Sequence, residues 1–122
     1  MGRPLRRSDR NAALVEMDGG RMHRLSDLCT IGRHPTSLVV LPDPAVSRHH
    51  AEVIRTPHGR YLLRDLCTRG GTFVGGDRVI ERFLVDGDEI RVGQARLRFE
   101  ERSVRPLVVR RRSIDSSSAP PV

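Results

Sequence analysis

The stretch EIRVGQARLRFE, residues 89–100, decides the fold class. Ala95, Leu97 and Phe99 alternate with Arg96, Arg98 and Glu100. That is the period of two expected of a strand with one face on a core and one in water, because successive strand side chains point to opposite faces. Residues 89–92 read as its partner strand, and Gly93-Gln94 supplies the turn between them. Toward the N-terminus the same grammar repeats. Residues 72–74 and 61–65 are short apolar runs separated by a Gly-rich loop, and 51–54 is divided from 61–65 by Pro57-His58-Gly59. LVVL at 38–41 is continuously apolar and stops at Pro42, and 30–32 is a short strand ending in glycine. Residues 13–17 and 22–25 flank Asp18-Gly19-Gly20, the composition of a hairpin turn. Only 79–84 has helix-like spacing, and it is too short to assign. Many short strands broken by turn residues predict an all-β, two-sheet sandwich.

Composition agrees with a single small domain. The chain has 122 residues, of which 37% are hydrophobic and 3% aromatic. That length buries a core without staples. No run approaches the length of a membrane-spanning helix. The start, MGRPLRRSDRN, lacks the apolar stretch of a secretory signal. Two cysteines make no disulfide framework. Cys29 and Cys67 read as reduced, small core or loop residues of a cytoplasmic protein, with a bridge between them left open.

The formal charge of +7 belongs mostly to the ends. Residues 1–10 and 103–122 each carry four arginines and one aspartate, while 11–102 carry 14 arginines against 13 acids. All 22 Lys/Arg positions are arginine, which a GC-rich genome explains better over the whole chain than selection for anion contacts does, although individual arginines can still serve that role. The expected organisation is a loose basic N-terminus at 1–10, a folded domain at 11–102, and a basic then Ser/Pro-rich linker or tail at 103–122.

The polar residues that could carry chemistry fall in three turns, TIGRHPTS, VSRHHA and RDLCTRGGTF. In a sandwich, strand-end loops gather at one rim. A rim holding Arg33, Ser47 and Thr68 would receive an anion, since a guanidinium fork matches phosphate oxygens and hydroxyls add neutral donors. The alternative is that Ser47 and Thr68 cap turns and Arg33 is solvated.

At these residues the chain resembles the forkhead-associated (FHA) domain family. The resemblance is carried by GR (32–33), SRHHA (47–51), DLCTRGGTFVGG (65–76) and VDGDEIRVG (85–93), in that order and spacing. It implies an eleven-stranded β-sandwich that binds phosphothreonine in an extended peptide. It implies that Arg33, Ser47 and Thr68 bind the phosphate. His34, Arg69 and Gly70 would contact the peptide, and Gly32, Arg48 and His50 would support the loops. The partner implied is a phosphothreonine-containing protein or peptide, and the role is an adaptor in Ser/Thr kinase signalling within a larger regulatory protein. No cofactor and no metal are implied. The chain departs from the family pattern where Gly70 and Gly75 replace asparagines. Gly70 removes a side chain that would bond the peptide backbone, and Gly75 bears on the turn before Asp77.

Other classes are weaker on the same residues. Nucleic-acid binding could use the Arg-rich tails, but one Tyr and three Phe leave little to stack on bases. Ser47 with His49 or His50 suggests a nucleophile and a base, yet no third orienting group is evident. The histidines and cysteines show no metal-ligand spacing. An FHA-like domain that binds partners independently of phosphate is the main alternative.

Overall fold

The computed structural model describes residues 10–103. They form eleven strands: β1 (Arg10–Glu16), β2 (Met22–Arg24), β3 (Leu28–Gly32), β4 (Val39–Val40), β5 (Ala51–Arg55), β6 (Tyr61–Asp65), β7 (Thr72–Val74), β8 (Asp77–Val79), β9 (Glu81–Phe83), β10 (Glu89–Val92) and β11 (Ala95–Ser103). Sheet I has the order β2-β1-β11-β10-β7-β8, and sheet II the order β4-β3-β5-β6-β9. The two-sheet sandwich expected from the alternation is what forms. Among the described residues there is no helix that could cross a membrane. The strands reach Arg10 and Ser103, which pair with one another, one residue beyond each expected domain limit. The remainder of both tails lies outside the described residues.

The alternation in 95–100 does its expected work. Leu97 and Phe99 have no solvent exposure, and Arg96 and Arg98 face water. From sheet I, Leu14, Val74, Ile90, Val92, Leu97 and Phe99 meet Ile31, Val39, Val53 and Leu63 of sheet II. Each large apolar side chain removed from water this way stabilises the fold by roughly 1.5–3 kcal/mol. Tyr61 and Phe99 join the sheets through tilted rings 5.6 Å apart. Cys29 belongs to this core, Cys67 is exposed in a loop, and both thiols are free.

The ambiguous segment 79–84 is not helical. It supplies the end of β8 in sheet I and then β9 in sheet II, so the chain changes sheets at the exposed Ile80. Helix-like spacing arises here because two short strands with different inward faces follow one another. Before β8, Gly75 and Gly76 have φ of 57° and 92°. Two successive positive φ values are those of the tight hairpin turn that matches strand twist, so glycine at 75 serves the turn.

Candidate functional site

Three loops meet at one end of the sandwich: 33–38 after β3, 41–50 before β5, and 66–71 between β6 and β7. Backbone hydrogen bonds bind the first two. The N–H of Arg33 donates to the Ser47 carbonyl at 3.0 Å, that of His34 to the Arg48 carbonyl at 3.1 Å, and that of His50 to the Ile31 carbonyl at 3.0 Å. Gly32 permits this approach. A Cβ there would overlap the Arg48 carbonyl oxygen and stand 2.9 Å from its carbon.

His50 joins the third loop to the other two. It is fully buried; its Nδ1 accepts the Ser47 N–H at 3.0 Å, and its Nε2 donates to the Gly71 carbonyl at 2.9 Å. Those partners require the neutral tautomer with the proton on Nε2. Its own carbonyl accepts from Leu66 N–H at 2.9 Å. The imidazole therefore connects 47 and 71, and the backbone of the same residue adds 66.

Arg33 is held by one end. Its Nε donates to the Val46 carbonyl at 3.0 Å, and no carboxylate among the described residues pairs with it. The clamp at Nε orients the planar guanidinium of this exposed residue, and its two terminal amino groups make no hydrogen bond among the described residues. Ser47 is half-buried beside it, and its hydroxyl has no partner among the described residues. Gly70 lies against the same loop, since a Cβ built on it would be 3.4 Å from the Ala45 carbonyl oxygen. The N–H groups of Arg69 and Gly70 make no hydrogen bond within the described residues. The rim thus offers a forked cation, a hydroxyl and loop amides.

Thr68 does not fit the phosphate-binding role expected of it. It is 8% exposed, and its Oγ1 donates to Asp65 Oδ1 at 2.7 Å while accepting the Gly71 N–H at 3.0 Å. A hydroxyl has one proton, and here that proton points inward to a carboxylate. Thr68 instead shapes the loop, and Arg69, next in sequence and exposed, occupies the outward position. Arg48 also differs in detail from its expected role. It supports the loop through its carbonyl, and its exposed side chain has no partner among the described residues.

The loop is organised around Asp65. Oδ1 accepts from Thr68 and Thr72 hydroxyls, each at 2.7 Å, and Oδ2 accepts from the Thr68 N–H at 3.0 Å. Burial pushes this carboxyl up, but the hydrogen bonds from Thr68 and Thr72 outweigh it and hold its pKa below the usual aspartate value. Cys67, at φ 60°, provides the left-handed step that turns Thr68 back onto Asp65. Arg78 on β8 braces the same loop from outside, donating to the Thr68 and Arg69 carbonyls at 3.1 and 3.3 Å. Sequence reasoning assigned no role to Asp65 or Arg78. The spacing Asp-x-x-Thr, typical of a side chain bonding a nearby turn, could have revealed the first. Nothing local signals the second.

His34 and His49 stack at the rim with ring centroids 5.2 Å apart. His34 Nδ1 accepts from the Thr36 N–H at 3.1 Å and lies 2.8 Å from the Thr36 hydroxyl. His34, next to Arg33 in the chain, is thus held by Thr36 and His49.

The FHA domain family model matches residues 29–93. The glycogen accumulation regulator GarA of Mycolicibacterium smegmatis is 41% identical over 68 residues, 56% of this chain and 42% of that protein. The chain therefore matches less than half the length of that relative. A structure described under phosphothreonine-dependent FHA domain interactions shares 36% identity and a TM-score of 0.70, covering 74% of this chain and 95% of that one. Mycobacterium tuberculosis EmbR, solved in complex with a low affinity phosphopeptide, shares 32% identity and a TM-score of 0.70, covering 74% of this chain and 24% of that one.

Proposed function

The chain belongs to the FHA domain family, and from that premise we propose that it is a phosphothreonine-dependent binding module, an adaptor in Ser/Thr kinase signalling within the cytoplasm, and not an enzyme. The observation that carries this reading is Arg33, clamped at Nε by the Val46 carbonyl with no carboxylate partner among the described residues.

A phosphothreonine brings about −1.5 to −2 charges and three acceptor oxygens at neutral pH. Arg33 faces that charge with two terminal amino groups in fixed orientation, so little side-chain entropy remains to be lost on binding. The Ser47 hydroxyl and the N–H groups of Arg69 and Gly70 are neutral donors for the other oxygens. The side chains of Arg69 and His34 flank the peptide. Thr68, Asp65, His50, Gly32 and the Arg48 carbonyl hold the loops in place and touch no ligand.

Titration of a phosphothreonine peptide library against its unphosphorylated counterpart tests the reading. A charge-assisted contact contributes about 1.5–3 kcal/mol, so Arg33→Ala is expected to weaken phosphopeptide binding by about ten- to a hundredfold. Equal affinity for the two peptide forms would end the phosphate reading and favour phosphate-independent partner binding.

A further inference from the structure

The outer face of sheet I has a charge asymmetry that composition does not explain. Pairing across β8, β7, β10 and β11 aligns Arg78, Phe73, Arg91 and Arg96 in one row. The same face carries Arg98 and Arg102 farther along β11, and Arg24 on β2. Against these six arginines stand two carboxylates, Glu89 and Glu100, leaving a net charge of +4 on the strand residues of this face. The strand residues on the outer face of sheet II include Glu52, Arg64 and Glu81, a net of −1. Arginine enrichment from base composition alone would reach both faces alike.

The row is continuous with the candidate site. Arg78 at its head donates to the Thr68 and Arg69 carbonyls of the rim loop. Arg91 lies over the Phe73 ring, 4.2 Å from its centroid. Among the described residues the Arg96 guanidinium makes one long contact, to Glu89, 3.8 Å between two side chains 55% and 44% exposed, and such pairs are worth little.

We propose that the arginine row is a second docking surface, taking an acidic segment of the same partner whose phosphothreonine occupies the rim. It rests on the phosphothreonine reading for its anchor. From β8 to β11 the row crosses three strand spacings, about 14 Å, which an extended peptide covers in about four residues. A nucleic acid suits it less well. Arg91 already covers one face of the Phe73 ring, where a base would otherwise stack, and the row begins at Arg78, which grips the rim loop itself.

The test uses the full chain and Arg91→Gln/Arg96→Gln, which leaves Arg78 and its loop contacts intact. Anisotropy titrations compare a phosphothreonine peptide with the same peptide extended by four glutamates, on the N-terminal side in one probe and the C-terminal side in another. One extension is expected to tighten binding about five- to tenfold at low salt, the sum of a few exposed charge pairs. In the double variant that gain is expected to vanish while the unextended peptide binds as before. In wild type it is expected to fade near 1 M salt, where screening shortens to about 3 Å. No gain from either extension, or a gain that survives the double substitution, overturns the proposal. A DNA duplex that binds more tightly than either extended peptide and is released by the double variant also overturns it. If phosphorylation proves irrelevant but unphosphorylated extended peptides still respond to Arg91 and Arg96, the surface stands and the phosphate reading falls.

Discussion

Gly32 and the Arg48 carbonyl occupy adjoining space so tightly that no side chain fits between them. This contact lets β3 and the loop before β5 exchange the Arg33–Ser47 and His34–Arg48 hydrogen bonds. Cation and hydroxyl are brought together by the absence of a methyl group.

Gly32→Ala should therefore cost stability as well as binding. The added Cβ meets backbone, which cannot rotate away as a side chain could. The expected loss is about 1–3 kcal/mol, the range for overpacking a dense interior, read as a lower urea midpoint with phosphopeptide affinity falling in the folded protein. An unchanged midpoint would show that the loops separate more easily than the geometry implies.

Thr68 and Arg33 should separate structural from ligand-binding roles. Thr68→Val leaves the Gly71 N–H without its acceptor and takes one of three hydrogen bonds from Asp65, a cost of about 1–3 kcal/mol for the unsatisfied N–H. Thr68→Ser keeps the hydroxyl and should restore most stability and binding. Arg33→Ala should do the reverse of Thr68→Val, keeping the thermal midpoint within about 2 °C, as small surface changes do, and losing the phosphopeptide. A Thr68→Val protein of wild-type stability that alone loses phosphate binding would return Thr68 to the phosphate.

Gly70→Asn should strengthen phosphopeptide binding at little cost to the fold. The site has ordinary room, with the Ala45 carbonyl oxygen 3.4 Å from the added Cβ, and φ at Gly70 is not positive. One new neutral hydrogen bond contributes about 0.5–1.5 kcal/mol, so affinity should rise by up to about tenfold. Calorimetric titration of the two proteins with one phosphopeptide measures it. Weaker binding by the Asn variant would mean that the glycine serves this chain's own ligand.

Stability should fall in acid through Asp65. Its pKa is depressed in the folded state, so the unfolded chain takes up the proton more readily. The contribution is present in full above the ordinary aspartate value of about 3.9 and is lost as pH falls through the folded value. Asp65→Asn should lower the urea midpoint at neutral pH and flatten its decline in acid. An equally steep decline in that variant would assign the acid sensitivity to other carboxylates.

The two thiols should differ in reactivity. Burial pushes the Cys29 thiol up to about 11, whereas Cys67 is exposed. The folded protein should release one equivalent of thiol to an aromatic disulfide reagent quickly and the second only on unfolding. Because the folded pKa of Cys29 is raised, its contribution to stability is present below about pH 9 and declines as pH rises toward about 11. Equal rates for both thiols would place Cys29 nearer the surface.

Strand identity was legible in the sequence because burial on one face of a strand imposes a period of two, which 95–100 obeys with local information alone, and because short apolar runs such as 61–65 and 72–74 are bounded by turn residues. The three polar turns were legible for a similar reason, since glycine, proline and short hydroxyl side chains mark where strands end. The segment 79–84 was not, because its two strands belong to different sheets and only partners distant in sequence reveal which side chains face inward. The tertiary fold alone decided that the Thr68 proton goes to Asp65, that Arg78 grips the 68–69 carbonyls, and that Arg78, Arg91 and Arg96 share a row with Phe73. Residue type states what a side chain can donate or accept, whereas the register of strands far apart in the chain determines which partner is within reach.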